Sequence, residues 1–166
     1  RISDICKECG VEIANINCPE QIIITGPAAL IDQAVELCER AGAKKCVKLN
    51  VSGPWHSRSM NPARERFEPF VRRVNFREPQ IPVLNNVDAM PLQSAAQVAD
   101  KLVDQICSPV LWQQSVERLI ADGHKCFVEV GPKKVLRGLM RRINKGVKVL
   151  NVEDAASLAG FLQANQ

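Results

Sequence analysis

The stretch Val51-Ser-Gly-Pro-Trp-His-Ser-Arg-Ser-Met-Asn-Pro-Ala63 carries one of only two histidines in a chain of 166 residues. Histidine titrates near neutrality, so it can take a proton from a hydroxyl or thiol and return it within one reaction cycle. His56 lies between an apolar, strand-like run and a helix start at Asn61-Pro62. Ser52, Ser57 and Ser59 are its sequence neighbours, but none sits on the sharp strand-to-helix elbow that presents a nucleophile. The G-x-S-x-G pattern of such an elbow does not occur in these 166 residues. From the residues alone two readings of His56 stand, a general base and a polar loop residue. The second histidine, His124 in Ala-Asp-Gly-His-Lys-Cys, lies in a helix-to-strand turn with no partner nearby and reads as an exposed loop residue.

Other reactive side chains point to packing. Seven cysteines, an odd number without framework spacing, fit small buried thiols in a reducing, cytoplasmic setting. Cys6-Lys-Glu-Cys9 matches C-x-x-C but lacks a preceding strand or a second ligand pair, so no metal or redox site is expected there. The net charge of +4 permits an acidic partner without arguing for nucleic acid. Seven basic residues (Lys133, Lys134, Arg137, Arg141, Arg142, Lys145 and Lys148) fall between Gly131 and Val152 with no acidic one. Without interleaved aromatics they read as a solvated face or a docking patch, not a nucleic-acid site. No apolar run approaches the length needed to cross a bilayer, so no membrane role is expected.

The elements that must position these residues follow from periodicity. Ile2, Ile5, Cys6 and Cys9 fall at helical spacing and Gly10 is a helix stop. Val11 to Asn17 and Gln21 to Thr25 read as strands, and Gly26-Pro27 opens a helix to about Arg40. Lys45 to Val51 reads as a further strand. The order over residues 1–52 is that of a ferredoxin-like small subdomain lacking its first strand. Over 53–166 the pattern predicts a helix capped by Asn61 and kinked or shortened at Pro69, and a buried strand at Ile81 to Val87. Helices at about 93–106 and 110–122 follow, then a strand at 125–130, a basic helix at 133–144, a strand at 147–152 and a closing helix. Strands alternating with helices make this an α/β chain with a parallel sheet. Because the first residues already read as the body of a helix, a fragment or a cleaved product is expected.

Five segments, taken together, resemble the malonyl-CoA:acyl-carrier-protein transacylases and the related acyltransferase domains of fatty-acid and polyketide synthases. They are NINCPEQIIITG at 15–26, GAKKCVKLNVSGPWHSRSM at 42–60, IPVLNNVDA at 81–89, QICSPVLWQQSVE at 105–117 and VEVGPKKVLRGLMRRI at 128–143. The resemblance covers essentially the whole chain. It implies an α/β-hydrolase-like domain in which a serine takes the malonyl group from CoA as an ester. The phosphopantetheine thiol of acyl carrier protein then takes it from the serine. Malonyl-CoA is the substrate, the phosphopantetheine belongs to the carrier, and no bound cofactor is implied.

By the same resemblance, His56 is the base and the backbone carbonyl of Gln105 orients it. Asn15 and Asn17 border the cleft, although turn capping is an equal alternative for both. The neighbourhood of Trp55 discriminates malonyl from methylmalonyl groups; rejecting one methyl is worth only about 1–3 kcal/mol, so Trp55 tilts the reading to malonyl, and packing on the small lobe is compatible with it. Lys44, Lys45 and Lys48 are candidates for docking the acidic carrier. The family's serine elbow, its malonate-binding arginine and its glutamine loop are not in this sequence. The expectation is therefore the C-terminal part of an incomplete hydrolase-like sheet, with exposed apolar strand edges and the N-terminal half of the enzyme as partner. A polyketide-synthase domain and a catalytically silent scaffold are the alternatives.

Overall fold

The computed structural model describes residues 1–164. Its N-terminal part is two helices on a hairpin. Helix α1 (Ile2–Cys9) turns one face inward and ends at Gly10, whose φ of 70° is a left-handed closure that glycine adopts without strain. Strands β1 (Glu12–Cys18) and β2 (Gln21–Thr25) pair antiparallel, and α2 (Ala28–Arg40) returns over them. Cys6, Cys9, Val11 and Ala34 form the buried centre, ringed by Ile5, Ile13, Ile24, Leu30 and Leu37. Gly26 is required where β2 ends, because a Cβ there would lie 2.9 Å from Val11 Cγ1. The C-x-x-C thiols belong to this core. Burial, with Cys38 and Cys9 nearby, pushes the Cys6 thiol up to about 11, which keeps it protonated and a poor nucleophile.

Two expected strands are not strands. Residues 45–51 form no ladder, and Val47, Leu49 and Val51 are left 60%, 52% and 59% exposed. A strand exists only if a neighbour accepts its backbone bonds, and among the described residues no strand pairs with this segment. Residues 81–87 instead enter a tight reversal: Leu84 bridges Pro91, Leu92 N–H donates to Val83, and Asn85 Oδ1 accepts from Val87 N–H. The parallel sheet is accordingly limited to β3 (Cys126–Val130) and β4 (Lys148–Val152), joined through α6 (Val135–Ile143).

Between these units lie α3 (Asn61–Val71), α4 (Ala95–Asp104) and α5 (Trp112–Ala121), and α7 (Ala155–Ala164) closes the described chain. Met60, not Asn61, is the N-cap of α3, and Asn61 Oδ1 accepts from the Cys107 thiol instead. Pro69 neither shortens nor stops α3, which runs on to Val71; its missing N–H removes one bond near the last turn. Ion pairs Arg64–Asp104 (3.1 Å) and Arg72–Asp100 (3.0 Å) join α3 to α4. The Glu129 carboxylate of β3 caps α6, accepting the N–H groups of Leu136 and Arg137 at 2.9 Å each. Val128 and Val130 of β3 are 41% and 79% exposed and lie on one uncovered face of the strand. No helix among the described residues is long and apolar enough to cross a membrane.

Candidate active site

His56 occupies a turn that its neighbours hold under strain. Its φ of 60° is left-handed, a conformation costing a residue with a Cβ about 1–2 kcal/mol. Such strain persists where surrounding contacts over-determine it. Upstream, Gly53 leaves room for the Trp55 ring, which a Cβ at that position would meet at 3.2 Å. Downstream, Ser57 is wholly buried and donates through Oγ to the Pro54 carbonyl at 2.6 Å. The Glu12 carboxylate of β1 accepts both the Arg58 N–H and the Arg58 Nε–H, each at 3.0 Å.

The ring faces the C-terminal end of α4. His56 Nδ1 lies 3.1 Å from the Gln105 carbonyl oxygen and 3.1 Å from that of Ser108. Carbonyl oxygens only accept, so Nδ1 must carry the hydrogen, shared between the two. That fixes the tautomer and leaves the Nε2 lone pair as the basic site. Gln105 is the C-cap of α4, so the negative end of the helix dipole also faces the ring and favours its cationic form. Two carbonyls and a helix end thus supply what a buried carboxylate supplies in a Ser-His-Asp triad.

The acceptor turn is tied down on every side. Ser108 Oγ donates to the Asp104 carbonyl at 2.8 Å, and Cys107 donates to Asn61 at 3.3 Å. Burial raises the Cys107 pKa, partly opposed by Arg64, so the group acts as a thiol donor. Val110 then joins β1: its N–H donates to Ala14 and its carbonyl accepts from Ile16 N–H. Val103, two residues before Gln105, is 1% exposed and anchors α4 from beneath.

Asn15 lies opposite Val110 in that bridge, which places it on the strand beside the acceptor turn, with Asn17 two residues further on. Both are half-buried. Trp55 is 48% exposed beside the histidine. Lys44 and Lys45 are exposed, whereas Lys48 is ion-paired with Asp32 of α2 and is not a free cation. His124 is exposed in the turn after α5. A cavity of about 270 Å³ among Trp112, Val116, Leu119, Phe127 and Met140 is apolar and holds none of these residues. Sequence reasoning missed the Ser108 carbonyl and the Glu12–Arg58 contact. The first uses a backbone carbonyl, for which side-chain identity carries no signal, and the second joins residues 46 apart in the chain.

A histidine with a fixed tautomer and a free Nε2, in a mixed α/β frame, is chemically able to take a proton from a nucleophile. Residues 3–166 match the model of the acyl transferase domain, and the chain belongs to that family. It is 39% identical over 165 residues to the malonyl CoA-acyl carrier protein transacylase of Bacillus subtilis (strain 168), covering 98% of this chain and 52% of that protein. Among solved structures it superposes on the acyl carrier protein S-malonyltransferase of Vibrio cholerae O1 biovar eltor (TM-score 0.93, 37% identity), covering 96% of this chain and 54% of that one. It likewise matches a malonyl-transacylase in complex with its type II PKS acyl-carrier protein (TM-score 0.94, 37% identity), covering 99% of this chain and 54% of that one. The chain spans about half the length of the curated relatives it matches.

Proposed function

We propose that this chain is the C-terminal, base-bearing part of an enzyme that moves a malonyl group from CoA to the phosphopantetheine thiol of acyl carrier protein in fatty-acid synthesis. The observation that carries this is His56 Nδ1 held between two backbone carbonyls in a chain of the acyl transferase family. Nε2 then accepts the proton of a serine contributed by the complementary half. The serine oxygen attacks the thioester carbon, the C–S bond breaks, and Nε2–H protonates the departing CoA thiolate. In the second half-reaction the carrier thiol gives its proton to Nε2 and attacks the ester, and the serine oxygen leaves with that proton. Neither half needs an oxidant or a metal to balance.

The uncovered edges fit the same reading. In a ferredoxin-like unit the missing first strand lies between the last strand and the third, here between residues 45–51 and β2. That strand would turn Val47, Leu49 and Val51 from an exposed row into a paired edge, and elements of the complementary half packed on the sheet face would cover Val128 and Val130. In this reading Trp55, half-exposed next to His56 in sequence, would crowd a methyl-bearing acyl group, and Asn15 and Asn17 would line the cleft. The complex with a type II PKS carrier supports a second reading, in which the carrier serves polyketide synthesis and the chemistry is unchanged.

Complementation tests the proposal. The chain, combined with a half bearing the G-H-S-x-G elbow, should transfer malonyl from malonyl-CoA to carrier thiol. A folded complex that transfers none would overturn it. Lys44 and Lys45, exposed and unpaired, are the docking candidates, with Lys48 secondary because of Asp32. Reversing both (Lys44→Glu with Lys45→Glu) should slow transfer to the carrier about tenfold at low salt and leave hydrolysis of the malonyl-enzyme unchanged. An equal fall in both rates would remove the docking role.

A further inference from the structure

Strand β1 holds both sides of the His56 hydrogen bond. On one side Glu12 grips Arg58, two residues after the histidine, through the backbone N–H and the guanidinium. On the other, Ala14 and Ile16 bind Val110, two residues after the Ser108 acceptor. A single strand therefore sets the separation between the imidazole and the carbonyls that orient it. The side chain of Arg58 is 80% exposed and that of Glu12 is 28% exposed, so as an ion pair this contact adds little stability. Its geometry does something else. The bond to the Arg58 N–H fixes the backbone directly after the left-handed His56 and caps the short turn Arg58–Met60. No other side chain is bonded to the backbone of residues 55–60 from a distant part of the chain among the described residues.

We propose that Glu12 is a positioning residue for His56, acting through the Arg58 N–H to keep Nδ1 on the Gln105 and Ser108 carbonyls. The inference rests on the base role of His56 for its catalytic consequence but not for its structural one. Three variants of the complete enzyme separate the possibilities. Glu12→Ala removes both bonds, Arg58→Ala removes only the guanidinium bond, and Glu12→Gln keeps an oxygen that can accept the backbone N–H.

Two readouts are needed. One is the ¹⁵N spectrum of histidine-labelled protein, with a His56→Gln sample assigning the signals, which reports the fraction of His56 carrying its hydrogen on Nδ1. The other is kcat and KM for malonyl-CoA. Glu12→Ala should lose part of the Nδ1–H signature and about tenfold in kcat with KM within twofold. Arg58→Ala and Glu12→Gln should retain most of both. If Glu12→Ala does not fold, the comparison passes to Arg58→Ala and Glu12→Gln, and loss of most of the Nδ1–H signature in Arg58→Ala would overturn the backbone route. A folded Glu12→Ala protein with an unchanged spectrum and unchanged kcat would overturn the proposal. A changed spectrum with unchanged transfer would uphold the positioning and sink the base role instead, so the two failures are distinguishable.

Discussion

Alanine in place of His56 should slow malonyl transfer by the complete enzyme by about 10²- to 10⁴-fold, the range that a positioned general base contributes. The loss should fall on kcat, because the proposed role puts the imidazole on the reacting proton and not on the CoA portion of the substrate. His56 is half-buried in a loop, and alanine, which also has a Cβ, meets the same left-handed backbone, so the fold should survive the change. His124→Ala is the control: that ring is exposed in the turn after α5, and its removal should leave the rate within twofold. Steady-state transfer to carrier thiol, with circular dichroism on each variant, measures both. Equal rates for the two variants would mean that the Nδ1 geometry serves only the loop.

The second large effect is on stability. Val103 is 1% exposed on the inward face of α4, and Gln105, two residues on, supplies an acceptor carbonyl. Val103→Asp puts a carboxylate at a position that is 1% exposed, at a cost of about 4 kcal/mol. That is a large share of the 5–15 kcal/mol that typically separates a folded domain from its unfolded state. Val103→Ala, which leaves only a small cavity, should cost about 2 kcal/mol. Urea midpoints for the two variants should therefore separate clearly. Identical midpoints would show that α4 is not packed as described, and with it that the acceptor turn is not held from beneath.

How much of this was legible in the sequence depends on what each feature needed. Helices announced themselves through local spacing: Leu30, Ile31, Ala34, Leu37 and Cys38 mark α2, and Gly10 ends α1. Strands at 45–51 and 81–87 were misread because alternation or apolarity shows what a segment would do beside a neighbour, and the neighbour is not local. His56 stood out by its scarcity and its place in a recurring pattern, and Gln105 followed from that resemblance alone. Ser108 and Glu12 did not follow, since one acts through its carbonyl and the other is 46 residues from its partner. Lys48 looked equivalent to Lys44 and Lys45 until its ion pair with Asp32 was seen.

The central claim is that His56 takes the proton of the nucleophile when the malonyl ester forms. Rapid-quench measurement of ester formation from labelled malonyl-CoA isolates that half-reaction from carrier docking. With His56→Ala the ester should accumulate at least about 100-fold more slowly while malonyl-CoA binding is unchanged. Ester formation at the wild-type rate in the alanine variant would contradict the account.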